Sequence, residues 1–387
     1  MSMEDYEITP IGVTNWRNQN IPFGIKDGDR LGHIYCIGKT GMGKSTLLQQ
    51  MALSDIRKGK GCAIIDPHGD VAKYLLNHIP TERKQDLIYI NPSDQVIHFN
   101  PLHVVHPNYH HLVASGLIST FKKIWSDSWG PRLEYILRFS LLTLLKYPRA
   151  TLLNIQPLLT DKVFRESILE NITDEFLLAF WRKEYDKYTP SFRSEVISPI
   201  LNKTGIFISS SPIQNMFGHE TSAFRMSQVM DESKILIADL SKGSIGEDAA
   251  TIIGSVLVTA IQLSALYRGK LPPHKRVPFY LYVDEAHSFL SLAFADIMAE
   301  ARKYGLSLFL AHQYIEQLNE DLRSAVFGNI GTLICFRLGA TDAELIEKEF
   351  VPIFNQEDLI KLPKLHIYIK LMIDGITCEP FSAKLQP

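Results

Sequence analysis

The chain has 387 residues, 45% of them apolar, and a formal net charge of −2. This length and composition allow a large core, in one big domain or two ordinary ones. The near-neutral balance gives no support to a protein coated in basic surface. It does not exclude nucleic acid, because a ring can concentrate positive charge in its pore.

The cysteines and the apolar stretches indicate a reducing, aqueous compartment. None of the four cysteines forms a CxxC pair or a Cys/His set with metal spacing, which predicts buried thiols. The first sixteen residues lack the apolar core of a signal peptide. The uncharged stretch Ala249–Tyr267 is marginal for a membrane span and contains six glycine or polar residues, so we expect a buried helix. These features predict a cytoplasmic protein with no integral membrane segment.

Strand patterns alternate with helical patterns over much of the chain. Most of the strand runs are continuously apolar, as expected for strands covered by helices on both faces. The expected fold is α/β, with a RecA-like parallel or mixed sheet flanked by helices and ligand chemistry at the carboxyl ends of its strands. The predicted strands are His33–Ile37, Cys62–Ile65, Leu87–Ile90, Ile235–Ala238, Tyr280–Val283, Leu306–Leu310 and Leu333–Arg337.

A phosphate-binding loop follows the first of these strands. Residues 34–48 spell IYCIGKTGMGKSTLL, an apolar strand, a glycine-rich loop and the start of a helix. Glycines let the backbone N–H groups face phosphates, and the helix N-terminus adds a favourable dipole. Lys44 is expected to neutralise the β- and γ-phosphates, and Ser45 to ligate Mg²⁺. A chance glycine-rich turn is the alternative, which the strand–loop–helix context disfavours. The residues predicted to bind ATP are Gly38, Lys39, Thr40, Gly41, Met42, Gly43, Lys44, Ser45 and Thr46.

The middle of the chain follows a helical pattern without convincing strands. It predicts an all-α domain over residues 109–230, inserted between the two parts of a nucleotide-binding domain, 1–108 and 231–387. Near the C-terminus, Asp374-Gly375 predicts a β-hairpin between the runs Leu365–Ile373 and Thr377–Ser382. The predicted helices of the insertion are Pro131–Tyr147, Leu152–Leu159, Asp161–Asn171, Asp174–Tyr185 and Ser191–Thr204.

Two carboxylates end a later strand, in the sequence FYLYVDE at residues 279–285. Asp284 is expected to hold Mg²⁺ through water, and Glu285 to orient and polarise the attacking water. Without the upstream phosphate-binding loop, a solvated turn would be the favoured interpretation. The string DEAH at 284–287 suggests a superfamily-two helicase. Nothing after Arg302 resembles the second, arginine-rich domain of that class, so we reject it and expect His287 to be a local structural residue.

Two further candidate site residues flank the next strand: a glutamine follows it and an arginine precedes it. Gln313 follows Leu306–Leu310 and can sense the γ-phosphate or position water, although an ordinary loop glutamine is an equal alternative from position alone. Phosphoryl transfer is accelerated by an arginine that reaches the γ-phosphate. A neighbouring copy of the chain could supply this arginine, which predicts hydrolysis at a subunit interface. The candidates for the cation are Arg302 and Lys303. The expected catalytic residues are Lys44, Glu285, Gln313 and Arg302.

Six segments together resemble the HerA–FtsK superfamily of ring-forming DNA-pumping ATPases. Within it, the chain looks closest to soluble relatives of conjugative coupling proteins of the TraG/TraD kind. The resemblance covers nearly the whole chain, and IDPHGD, ARKYGL and GNIGT in this order are more specific than the phosphate-binding loop. The segments are GKTGMGKSTLL, IDPHGD (65–70), WGPRLEYILR (129–138), LYVDE, EARKYGLSLFLAHQ (300–313) and FGNIGTLICFRLG (327–339).

The resemblance implies a homo-hexameric, ATP-driven DNA translocase of the conjugation and type IV secretion class. By it, Arg302 matches the arginine that reaches the neighbouring subunit's site, and Gln313 matches the γ-phosphate-sensing glutamine. Asp66 would lie near the phosphates, while Arg337 is either a second interface arginine or a surface residue. The inserted helices look similar to the all-α domain that covers the mouth of such rings and contacts DNA or substrate proteins, so DNA, a partner effector or a relaxase-like protein are the expected partners.

Two features depart from the family pattern. Coupling proteins of secretion channels usually carry N-terminal membrane helices, and HerA proteins begin with a small barrel; this sequence predicts neither. Besides the translocase, a regulatory NTPase of a multi-protein complex, for example in anti-phage defence, and a non-catalytic nucleotide-binding scaffold stay open. None of the candidate DNA contacts forms a dense cluster. They are Lys122-Lys123, Arg182-Lys183, Lys203 and the loop Ser241-Lys242-Gly243.

Overall fold

The computed structural model describes residues 8–94, 97–103 and 106–386. Within these limits the chain divides into two compact units. The first contains residues 8–89, 226–241 and 264–386, and the second contains residues 90–225 and 242–263. The predicted domain boundaries at 108/109 and 230/231 stay a prediction.

A mixed sheet of eleven strands forms the framework of the first unit. The strands of the described residues are β1 (Ile8–Thr14), β2 (Pro22–Lys26), β3 (Ile34–Ile37), β4 (Gly61–Asp66), β5 (Leu87–Ile90), β6 (Ile235–Asp239), β7 (Phe279–Val283), β8 (Leu306–His312), β9 (Thr332–Cys335), β10 (His366–Lys370), β11 (Met372–Ile373), β12 (Ile376–Thr377) and β13 (Phe381–Lys384). The sheet order is β2-β1-β13-β10-β9-β3-β8-β7-β4-β6-β5, and β11 and β12 pair separately.

The sequence of each strand matches its place in this sheet. The strands β9, β3, β8, β7, β4 and β6 pair in parallel, and all six are buried along their length. Their continuous apolar runs follow from burial on both faces. By contrast, β10 is antiparallel to β9 and alternates between buried and partly exposed positions. The predicted α/β fold, with a mixed sheet flanked by helices, is therefore confirmed.

The two ends of the chain complete the sheet in a way that the sequence analysis did not predict. The strands β1 and β2 extend it at one side. The predicted hairpin is present as β11 and β12 around Asp374-Gly375, but β10 and β13 pair with each other inside the main sheet. Short alternating strands give a weak signal in sequence because half of their residues are polar.

Helices supply the remaining layers, and residues 110–230 contain no strand. The predicted helix Asp174–Tyr185 is in fact a short α-helix followed by a π-helical turn over Phe180–Glu184. The helices are α1 (Asp27–Arg30), α2 (Lys44–Arg57), α3 (Asp70–His78), α4 (His110–Ile124), α5 (Pro131–Leu145), α6 (Ile155–Thr160), α7 (Lys162–Leu169), α8 (Glu175–Ala179), α9 (Pro190–Ser209), α10 (Ser211–Phe217), α11 (Met226–Asp231), α12 (Lys242–Ile245), α13 (Glu247–Tyr267), α14 (Leu292–Ala301), α15 (Glu320–Asn329), α16 (Ala340–Phe350) and α17 (Gln356–Lys361).

The apolar helix α13 has the burial of a core helix. By length and composition, residues 247–270 form one candidate membrane span within the described residues, but 83% of its most apolar window is buried inside the protein. Four of the polar residues that interrupt the stretch, Ser255, Thr259, Gln262 and Ser264, are buried with it. The Thr259 hydroxyl, for example, lies 2.9 Å from that of Thr120 on α4. The helix therefore packs within the protein, as its sequence predicts.

A buried ion pair ties α1 to the helix that follows the phosphate-binding loop. The Arg30 guanidinium donates hydrogen bonds to the Asp55 carboxylate, to the Tyr282 hydroxyl at 2.7 Å and to the Thr9 hydroxyl at 3.0 Å. It also stacks on the Tyr280 ring, 3.9 Å from the ring centre. Arg30 and Asp55 have side chains only 1% and 0% exposed, so each needs the other in this low-dielectric environment.

We expect Arg30→Met to lower the free energy of unfolding by about 3–5 kcal/mol, because it leaves the Asp55 carboxylate buried without its main cation. The matched control is Lys26→Met, which breaks an ion pair with Asp374 whose side chains are 51% and 71% exposed. That exposed pair is expected to contribute about 0–1 kcal/mol. Urea unfolding of both variants tests the difference, and equal losses would show that burial does not govern the Arg30 pair.

Candidate functional site

The phosphate-binding loop lies between β3 and α2, at the carboxyl edge of the parallel strands. Backbone hydrogen bonds hold both sides of it: the Gly38 N–H donates to the His312 carbonyl at 3.2 Å, and the Lys39 N–H to the Arg337 carbonyl at 2.9 Å. Gly41 and Gly43 have φ angles of 76° and 127°, which only glycine adopts readily. The loop is thus built from the geometry that its glycines allow.

Lys44 begins α2 and is buried, with 6% relative exposure. Its ammonium donates to the carbonyls of Gly38 at 2.6 Å and Lys39 at 3.2 Å, both within the loop. The next residue, Ser45, has its hydroxyl 3.3 Å from a carboxylate oxygen of Asp284, at the end of β7. The predicted phosphate and Mg²⁺ contacts therefore meet at one place.

Glu285 is surrounded by polar side chains from three elements. The Gln313 amide, beyond the end of β8, donates to the Glu285 carboxylate and accepts from the Thr40 hydroxyl at 2.8 Å. His68, after β4, lies 3.9 Å from the same carboxylate oxygen, and His287 lies 3.5 Å from the other. Gln313 thus links the phosphate-binding loop to the carboxylate that we expect to act on water.

The backbone at Glu285 is itself unusual, because φ is 48° and ψ is 51°. Few residues other than glycine occupy this left-handed region, and those that do cluster at functional sites. Burial would raise the pKa of Glu285, but the contacts with His68 and Gln313, together with the charge of Lys44, hold that pKa below its ordinary value. The carboxylate is therefore kept ionised, as a group that polarises water must be.

Asp66 shapes the neighbouring loop rather than contacting the phosphate-binding loop. It is fully buried at the end of β4. Its two oxygens accept hydrogen bonds from the backbone N–H groups of His68 and Ala72, each at 2.9 Å. Burial raises the pKa of Asp66, against the effect of these hydrogen bonds. The carboxylate fixes the turn that carries His68 towards Glu285.

These groups line one cavity of about 570 Å³. The sequence analysis gave no role to four of them: His68, Asp70, Val71 and Lys364. His68 lay within a quoted motif, but only Asp66 was considered; Lys364 belongs to no motif. The lining residues are Thr40, Gly41, Gly43, Lys44, Ser45, Thr46, Asp66, His68, Asp70, Val71, Asp284, Glu285, Gln313 and Lys364.

Arg302 is not among these residues. It is exposed and lies in a short turn before β8 begins at Leu306. Burial, and to a smaller extent the charge of Arg302, lowers the pKa of His33, which precedes β3, so Arg302 lies at the amino edge of the sheet. Arg337 follows β9 at the carboxyl edge, where its carbonyl contacts the phosphate-binding loop. The two predicted interface arginines therefore occupy opposite edges.

The donor set fits a hard cation. Burial, followed by the charges of Glu285 and Asp66, raises the pKa of Asp284 to about 6. A serine hydroxyl beside a buried carboxylate is the kind of oxygen pair that Mg²⁺ uses together with phosphate oxygens. Among the residues that the structure describes, no group of three or more His, Cys, Asp or Glu side chains is suited to a metal, so Ser45 and Asp284 would hold Mg²⁺ only together with nucleotide and water.

The raised pKa of Asp284 predicts that this residue destabilises the nucleotide-free fold at neutral pH. Because the folded pKa of about 6 exceeds the ordinary 3.8, the contribution to stability is complete below pH ~4 and is lost as pH rises through ~6. Asp284→Asn should therefore raise the free energy of unfolding at pH 7.5 by about 1–3 kcal/mol, with the gain shrinking towards pH 4. Urea unfolding without Mg²⁺ at several pH values tests this, and a gain that does not vary with pH would contradict it.

Two family profiles match parts of the sequence. The profile of the family described as helicase HerA, central domain, matches residues 17–261, which is more than half of the chain. The profile described as the TraM recognition site of TraD and TraG matches residues 278–348. None of the curated proteins matches the sequence.

Three solved structures share the fold at low identity. The bacterial conjugative coupling protein TrwBΔN70, in an unbound form, has a TM-score of 0.67 at 17% identity, over 97% of this chain and 89% of that chain. The plasmid coupling protein TrwB in complex with ADP and Mg²⁺ has a TM-score of 0.67 at 17% identity, over 95% and 88%. VirB4 of Thermoanaerobacter pseudethanolicus has a TM-score of 0.68 at 14% identity, over 98% and 97%. The family and the fold agree with the resemblance seen in the sequence.

Proposed function

This chain belongs to the family described as helicase HerA, central domain, and on that premise we propose that it is a ring-forming, ATP-driven DNA translocase whose ATP sites are completed between subunits. The P-loop ATPase assignment follows from the family and the fold. The observation that carries the proposal is the division of the predicted catalytic residues: Lys44, Glu285 and Gln313 share one cavity, whereas Arg302 lies outside it. Such a site is half of a catalytic centre.

Within the cavity, each residue would have a distinct part in ATP hydrolysis. Lys44 and the loop N–H groups bind the phosphates. Mg²⁺, held by Ser45 and through water by Asp284, would neutralise the charge that develops on the phosphate oxygens. Glu285 accepts a hydrogen bond from the attacking water and orients it, and Gln313 holds that carboxylate while contacting Thr40. A cavity of about 570 Å³ is of the size that small-molecule ligands occupy.

Arg302 cannot complete the site of its own subunit. The seven residues of β8 separate it from Gln313, and a strand of that length spans roughly 20 Å. An arginine side chain is much shorter than this distance. Because Arg302 is exposed at the opposite edge, a neighbouring subunit that presents its amino edge to this cavity would supply the arginine. A homo-oligomer, as a closed ring of heterologous contacts, follows from that arrangement.

The second unit offers a surface that suits a nucleic-acid strand. A cavity of about 590 Å³ is lined by Trp129 and Tyr135 together with the cations Lys122 and Arg138. Glu134 lies among them and accepts hydrogen bonds from Trp129 at 2.8 Å and Arg138 at 3.1 Å. Aromatic faces next to cations are the groups on which single strands stack. This surface supports DNA as the substrate of the proposed translocase.

Other candidate DNA contacts are less exposed than the sequence suggested. Burial lowers the pKa of Lys123 to about 7, so its charge is partly lost at neutral pH. Lys242 pairs with Glu247 at 2.8 Å. Arg182 and Lys183 are exposed, and they stay proposed contacts together with Lys122.

The test combines turnover with imaging. The purified protein should hydrolyse ATP faster with single- or double-stranded DNA, and electron microscopy with ATP should show rings with DNA in the pore. Lys122→Glu and Arg138→Glu should weaken the DNA response, whereas Lys361→Glu, at an exposed site outside both cavities, should not. Rings that hydrolyse ATP but neither bind nor respond to DNA would overturn the translocase and favour a regulatory NTPase.

A further inference from the structure

The loop before β10 is fastened to the phosphate-binding loop. The Leu365 N–H donates to the Met42 carbonyl at 2.9 Å, and the Leu365 carbonyl accepts from the Leu385 N–H at 2.9 Å. The Leu365 side chain also packs against Gly43, where an added Cβ would lie 2.9 Å from Leu365 Cδ2. A segment more than three hundred residues away in sequence thus becomes part of the nucleotide site.

This attachment holds Leu365 in a costly conformation. Its φ is 64°, a left-handed value that is an outlier for a bulky side chain. Such conformations persist where the surroundings impose them, and they concentrate at ligand sites. Leu365 directly follows Lys364. The hydrogen bonds of Leu365 therefore fix the backbone position of that lysine beside the cavity that it lines.

The charges in the cavity show what Lys364 would do there. The lining contains the carboxylates of Asp66, Asp70, Asp284 and Glu285, and the lysines that line it among the described residues are Lys44 and Lys364. Nucleotide phosphates add several more negative charges to this set. One buried lysine and one divalent cation leave an excess of negative charge, which a second ammonium would reduce.

Leu365, the residue after Lys364, contacts Met42 and Gly43, the residues next to α2. In a phosphate-binding loop this part of the backbone cradles the α- and β-phosphates, whereas Glu285 and Gln313 lie where the γ-phosphate reacts. We propose that Lys364 is a nucleotide-binding residue that contacts the phosphates common to ATP and ADP. The inference rests on the proposed binding of ATP by the phosphate-binding loop.

This role predicts uniform binding rather than catalysis. Lys364→Ala should raise the Kd of ATP and of ADP by the same factor, about five- to twentyfold, and raise KM while kcat at saturating ATP stays unchanged. Lys364→Arg should restore most of the affinity. The matched control is Lys361→Ala: Lys361 is 70% exposed, pairs with Glu357 and does not line the cavity. Calorimetry with Mg·ATP and Mg·ADP on the full chain gives the constants, and thermal unfolding checks that each variant is folded.

The outcomes separate this inference from the proposed function. If the wild-type protein binds both nucleotides and Lys364→Ala binds them with the same Kd, the inference is overturned and the proposed function is not. An effect on ATP but not ADP would also overturn it, because the lysine would then contact only the γ-phosphate. Equal losses in Lys361→Ala would show a diffuse charge effect and overturn it as well. Wild type that binds neither nucleotide would overturn the proposed function, and the inference with it.

Discussion

Glu285→Gln is expected to keep ATP binding and to lose almost all hydrolysis, with kcat lower by about 10²- to 10⁴-fold. The amide has the shape of the carboxylate but lacks the negative charge that polarises the attacking water. Glu285 is ionised in the fold because the contacts with His68 and Gln313 and the charge of Lys44 keep its pKa below the ordinary value. Single-turnover hydrolysis measured beside the Kd of ATP separates the chemical step from binding.

The matched control for this variant is Glu300→Gln. Glu300 is a glutamate 49% exposed that pairs with Lys303 at 3.7 Å and lies outside the cavity. It should change kcat by less than about twofold, since exposed pairs contribute little. Lys44→Ala gives the complementary result, because it removes phosphate binding and should raise the Kd of ATP. A Glu285→Gln protein that retains half of its turnover would contradict the role assigned to Glu285.

The sequence predicted the core of the site because two patterns are local. Glycines at this spacing between a strand and a helix favour a phosphate-binding loop, and a continuous apolar strand that ends in two acids places them at a sheet edge. The parallel sheet then brings Ser45 and Asp284 within 3.3 Å, although they are far apart in the chain. Parallel pairing therefore turned separate motifs into one predicted site.

The sequence did not predict the groups whose position depends on long-range backbone contacts. Lys364 reaches the cavity through a hydrogen bond between Leu365 and Met42, which has no local signature. His68 faces Glu285 because Asp66 turns inward to cap its own loop, and a lone histidine in a polar loop gives no hint of this. Residues that act through tertiary placement are thus the ones that sequence patterns miss.

Arg302→Ala is the second change with a large expected effect. If the arginine stabilises the transition state in a neighbouring subunit, its loss should lower kcat by about 10³- to 10⁵-fold while the Kd of ATP changes little. Lys303→Ala tests the adjacent candidate, which is 66% exposed and paired with Glu300; a kcat close to that of wild type there would assign the role to Arg302. A loss of ATP affinity equal to the loss of turnover would contradict a role confined to the transition state.

Mixing two inactive variants tests whether the site is shared. An Arg302→Ala subunit supplies an intact Glu285, and a Glu285→Gln subunit supplies an intact Arg302. In rings assembled at random from equal amounts, about one quarter of the interfaces would join these two halves in the productive order. Turnover should then recover to roughly one quarter of the wild-type value, or to less if the sites must hydrolyse ATP in sequence around the ring. An arginine that acted within its own subunit would allow no recovery at any ratio. The roughly 20 Å that β8 places between Arg302 and Gln313 makes that result the unexpected one.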